Sequence, residues 1–157
     1  MMKIVTVLLI LLTFSCSQKK QHIPTEIPSS NSIYWGMTME EVKEIEGDDV
    51  SNITDNILTR NDVVAGLNAE VGYFFRDNKL LEVNCVFHSA DSINYIMLRE
   101  RLIDKYGTPT KSRMEDNSYR CYIEKDGIAV SVESSFLLDR ENRMMTLAFL
   151  DLNQWRK

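Results

Sequence analysis

Only two histidines, three cysteines, three prolines and six glycines occur in the 157 residues. His22 and His88 stand far apart, so local spacing assembles neither a Ser/His/Asp triad nor a multi-histidine metal site. Basic residues are also short: 18 Lys and Arg face 23 Asp and Glu, a formal charge of −5, with no basic cluster. Such a chain displaces few counterions from a phosphate backbone, which excludes nucleic acid as a partner. Long apolar runs are absent as well. The apolar stretch of nine residues at 4–12 falls well short of the roughly 20 that cross a bilayer.

What is present begins with that short stretch. It follows Lys3 and leads through Thr13-Phe14-Ser15 to Cys16, the order of a basic start, an apolar centre and a small residue before a cut. Residues 1–15 are therefore expected to be an export signal. Cys16 with polar Ser17-Gln18-Lys19-Lys20 after it resembles a bacterial lipoprotein precursor, although Leu12 stands one position earlier than the usual leucine. The resemblance implies lipidation of Cys16, cleavage before it, and anchoring in a lipid bilayer, with Ser17 rather than Asp favouring the outer membrane. Thr13 and Ser15 also suit an ordinary signal peptidase, so a cut without lipid is the competing expectation.

Residues 16–32 carry Pro24, Pro28 and paired serines without apolar periodicity, and read as the lipidated cysteine and a flexible tether. Residues 33–157 are then enough for one compact domain. Thr38 with Glu41 forms a capping box, Met37 is placed to staple Val42, and Gly47 stops this first helix. Strands are expected at 57–64, 67–75 and 81–87. A three-residue turn at Arg76-Asp77-Asn78 would put Val71, Tyr73 and Phe75 on the face of Leu81, Val83 and Cys85. A longer helix runs from Asp91 or Ser92 to Tyr106, stopped by Gly107 and Pro109. Strands at 119–125 and 128–137 flank Asp126-Gly127, a type I′ turn signal, and a last strand follows at 144–152. The pattern predicts an α+β fold of two helix-plus-three-strand units in tandem, an antiparallel sheet with helices covering one face.

Gly36-Met37-Thr38 with Val42, and Tyr106-Gly107-Thr108-Pro109 after the second helix, resemble the SmpA/OmlA (BamE-type) lipoproteins and the β-lactamase-inhibitor-protein-like domains. Trp35-Gly36-Met37 is also similar to the opening of a group of small secreted bacterial proteins of unknown function. Two units in one chain are closer to the inhibitor-like proteins, and that likeness implies a concave sheet gripping another protein.

The remaining candidates are few. Cys85 and Cys121 are either a disulfide pair or two packed thiols. Phe74 and Tyr122 point away from the apolar rows and are candidate anchors for a partner. Glu40, Glu41, Glu44, Glu46, Asp48 and Asp49 lack the loop that wraps calcium and read as a solvated helix face, so no metal or cofactor is expected. Glu82 and Glu133 are the carboxylates an enzyme would use, but no second catalytic group can be placed beside either, and no small-molecule substrate is identified. The sequence thus points to a non-catalytic, membrane-anchored lipoprotein that binds an envelope protein. The alternative is an inhibitor of an extracytoplasmic hydrolase that inserts the Lys125-Asp126-Gly127 loop.

Overall fold

The computed structural model describes residues 20–115, 118–135 and 144–157. Cys16, the export signal and residues 136–137 of the strand expected at 128–137 lie outside these residues. The described chain forms one eight-stranded antiparallel sheet, in the order β1-β2-β3-β4-β8-β7-β6-β5. The strands are β1 Ser51–Thr54, β2 Ile57–Val64, β3 Leu67–Arg76, β4 Lys79–Phe87, β5 Lys111–Glu115, β6 Ser118–Lys125, β7 Ile128–Ser135 and β8 Met144–Asp151. The helices are α1 Met39–Glu46, α2 Ser92–Tyr106 and a terminal turn α3 Leu152–Trp155.

This corrects the expected tandem of helix-plus-three-strand units. Each half contributes four strands, and β8 pairs with β4 in the register Cys85↔Leu147 to make one continuous sheet. The two strands the sequence hid, β1 and β5, are the sheet's edges. Polar SNIT and KSRME show no apolar alternation because an edge strand has little core to face.

Three of the two-residue hairpin turns share one geometry. Ala65-Gly66, Asp77-Asn78 and Asp126-Gly127 all take positive φ at both positions, as type I′ turns require. The second corrects the expected three-residue turn: Arg76 pairs with Lys79 across two residues. Side-chain parity is then restored by a bulge between Phe74 and Phe75, which leaves Leu81 as the extra residue of β4. Beyond it Tyr73↔Val83 and Val71↔Cys85 share the buried face, the parity the apolar pattern demanded.

Local signals fix both main helices. Thr38 caps α1 and Asp91 caps α2, each in a reciprocal box with the residue three positions on, Glu41 or Asn94. Gly47 and Gly107 end them at φ 71° and 96°. α2 presses Tyr95, Leu98 and Leu102 onto the sheet, with the Tyr95 ring stacked 5.3 Å from that of Tyr119 and Tyr106 beside Phe149.

The tether reading fails from residue 20 onward. Ile23, Ile27 and Ile33 are each no more than 2% exposed and belong to the main core. Ile23 N–H donates to Ile33 O at 3.2 Å, and His22 bridges Tyr34. Residues 20–36 are a strap, and the prolines that suggested a linker shape its bends. Its three isoleucines follow neither a 2- nor a 3.6-residue period, so periodicity could not reveal them.

Candidate functional site

Alternation along the strands divides the sheet into two unlike faces. The strap, α1 and α2 all attach to one of them: Ser29 lies 3.1 Å from Tyr73 Oη, Glu46 accepts from the same hydroxyl, and α2 stacks on Tyr119. Val71, Tyr73, Val83, Cys85, Val130, Val132, Leu147 and Phe149 fill that face at 1% exposure or less. The opposite face carries no helix of the described residues, and α3 sits at its border, where Leu152 N–H donates to Gly127 O.

Register gives the layout of this uncovered face. One row across the strands reads Ile57, Phe74, Glu82, Leu150, Ala129 and Glu124. The next reads Thr59, Gly72, Asn84, Ala148, Ser131 and Tyr122. Phe74 lies over Gly72, where a Cβ would come within 2.9 Å of the ring, so glycine is what lets the ring lie flat on the sheet. Beside it, burial raises the pKa of the Glu82 carboxyl, and Asn84 Oδ1 is buried with no hydrogen-bond partner. A half-buried carboxyl and an unsatisfied acceptor, with Phe74 and Leu150 as the cross-strand neighbours of Glu82, form the chemically distinct spot on this face.

Tyr122 is on the same face but four strands from Phe74, about 19 Å at the usual strand spacing. Its hydroxyl donates to Glu124 Oε1 at 2.8 Å, and burial and that bond both raise its pKa. The two sequence candidates therefore share a surface without forming one pocket. Glu82 and Asn84 are the residues the sequence reading undervalued. Their signal was positional: both sit on the polar parity of a strand flanked by aromatic residues.

The other candidates are placed as follows. Cys85 and Cys121 are free and buried, and the pairs Cys85↔Leu147, Leu147↔Val132 and Val132↔Cys121 set two strands between them. Three strand steps separate their Cα atoms by about 14 Å, twice what a disulfide spans, so the disulfide option falls. Glu46 is not part of a solvated face. It is buried, bound by Tyr73 Oη at 2.6 Å, by Ser29 and by Arg60, which also holds Asp62. Glu133 is engaged by Arg120 at 2.9 Å. His22 Nδ1 lies 3.2 Å from Ile33 O, while exposed His88 is 3.9 Å from Glu70 at the other end of the sheet. Among the described residues no group of three His, Cys, Asp or Glu could hold a metal ion.

The loop expected to enter a hydrolase is tied down. Lys125 Nζ donates to Lys105 O at 3.0 Å, Gln21 Nε2 to Asp126 O at 3.4 Å, and Asn153 lies against Gly127. No protein-family profile matches the chain, and no curated protein or solved structure is found to be similar to it. The likeness to the SmpA/OmlA and inhibitor-like proteins thus gains no support beyond the short motifs that suggested it.

Proposed function

We propose that the chain is an exported lipoprotein, anchored through acylated Cys16, whose uncovered sheet face docks an envelope protein without catalysis. The anchor rests on the Lys3, apolar run and Ser15-Cys16 sequence. The observation that carries the docking surface is the pairing of Glu82, set between Phe74 and Leu150 in the sheet, with the buried and unpartnered Asn84 Oδ1. A buried acceptor without a donor is costly in the free protein and is relieved when a partner supplies one. The fitting partner is a protein that presents an Arg, Lys or amide donor framed by apolar residues. Phe74 and Tyr122 mark the two ends of the contact.

A photo-crosslinking residue placed at Ala148, at the centre of this face, should give one adduct of defined mass in intact cells. The same residue at Glu100, exposed on α2, should not. Equal labelling from both positions would remove the docking surface from consideration. Replacing Phe74 and Tyr122 together by Ala should abolish the Ala148 adduct while leaving the folded body intact.

A further inference from the structure

The strap changes where an anchored body must sit. Lys20 Nζ donates to Tyr34 Oη at 2.9 Å, and Trp35 N–H donates to Gln21 O at 3.0 Å, so the described chain starts at a fixed place. From Cys16 to Lys20 the backbone reaches at most about 14 Å. A lipid on Cys16 therefore brings that end of the body against the bilayer, instead of leaving it on a long leash.

The same end carries α3. Gly36 N–H and Gln154 Nε2 both donate to Leu80 O, which ties the strap, β4 and α3 into one corner. Trp155 is 52% exposed there, with the Arg76 guanidinium 5.0 Å from its ring centroid. Arg76 also donates to Gln154 O at 2.8 Å, which fixes its direction. Beside the indole is an open recess of about 310 Å³ lined by Arg76, Asp77, Lys79, Leu81, Gln154 and Lys157, three cationic side chains against one acidic side chain. The chain as a whole is acidic, so a locally cationic corner beside an exposed tryptophan is a departure from its average. Indole rings settle at the headgroup level of bilayers, and basic side chains there pair with lipid phosphates.

We infer that this corner is a second membrane contact, with Trp155 seated among the headgroups and Arg76, Lys79 and Lys157 taking a phospholipid phosphate. The inference rests on the lipidation proposed above. It gives the body a fixed orientation: the end bearing Lys20, the Asp126-Gly127 turn and α3 faces the bilayer, and the exposed Ile93, Ile96 and Met97 of α2 face away from it.

Tryptophan fluorescence tests it, because Trp35 is only 7% exposed and Trp155 is the one that can meet lipid. The protein is taken from membranes, the mass of its N-terminal peptide is read, and the whole is placed in vesicles of phosphatidylethanolamine and phosphatidylglycerol. Lipids carrying a shallow nitroxide should quench the emission, and Trp155→Phe should abolish the quenching while Trp35 still emits. Lys79→Glu with Lys157→Glu should also reduce it, in protein whose circular dichroism is unchanged. Excess inorganic phosphate should leave the quenching in place; its loss would overturn the bilayer as the ligand. An acylated N-terminal peptide with unquenched Trp155 overturns the contact and leaves the anchor standing. A peptide without acyl chains overturns both.

Discussion

Beneath β2 and β3 the sheet is covered by an eight-residue helix and a strap that meet it through a buried carboxylate. Beneath β6 and β7 it is covered by a fifteen-residue helix that meets it through rings and aliphatic chains. The lengths explain the chemistry. α1 offers only Met39 and Val42 as buried apolar residues, too few to hold two turns in place, whereas α2 offers Tyr95, Leu98 and Leu102. Glu46 supplies what α1 lacks, gathering Ser29 of the strap, Tyr73 of β3 and Arg60 of β2 around one side chain. The β2–β3 half of the cover thus adds a few directional bonds to the buried isoleucines of the strap, and the other half rests on packed area.

That contrast can be broken at its strongest point first. Glu46→Ala leaves the Tyr73 hydroxyl and one arm of the Arg60 guanidinium without their common partner, while Asp62 still holds the other arm, and should cost about 3 kcal/mol, read as a lower urea midpoint with an unchanged slope. A cost below about 1 kcal/mol would show that the network is incidental. Leu102→Ala in α2 and Ile27→Ala in the strap, both fully buried, should each cost about 3 kcal/mol by the same measurement. If Ile27→Ala were neutral, the strap would be a linker after all. The caps make the two halves comparable: Thr38→Ala and Asp91→Ala should each cost about 1 kcal/mol, since each removes one equivalent box.

The smallest effect at neutral pH is none, and it appears only in alkali. Burial, with a lesser contribution from Glu26, pushes the Cys85 thiol from 9.0 up to about 12. The unfolded chain releases this proton near its ordinary value and the folded chain keeps it. The stabilisation is therefore complete below about pH 9 and is lost as pH rises through about 12. Urea midpoints across that window should fall more steeply for the parent than for Cys85→Ala. Neither Cys85 nor Cys121 should react with a thiol reagent at neutral pH before unfolding, and fast labelling of either would contradict its burial.

How much of this could be read in advance differs by element. α1 was legible to the residue and α2 to within one residue at its start, because their boundaries are written in local chemistry: Thr38 with Glu41, Gly47 and Gly107. β3 and β4 were legible through alternation, even though the turn between them was misjudged. The apolar parity of Tyr73 and Val83 demanded one outcome, and a two-residue turn with a bulge reaches it as well as a three-residue turn would. β1, β5 and the strap were missed, the first two because edge strands need no apolar face, the strap because its isoleucines have no period. On the candidate site, the facing of Phe74 and Tyr122 was readable, but the burial around Glu82 and Asn84 was not. It depends on Leu150 of β8, a neighbour almost seventy residues away in sequence.

By itself the sequence determined what is settled within a few residues: the helix caps, the type I′ turn at Asp126-Gly127 and the inward parity of most strands. Only the tertiary structure decided that β8 pairs with β4 into one sheet, that Cys85 and Cys121 have two strands between them, and that Glu46 is a buried anchor instead of a solvated charge. Local free energies act between neighbours and are visible in a short window. The closing of a sheet, and the burial of a carboxylate, depend on pairings between distant segments whose favourable terms exist only once the whole core has formed.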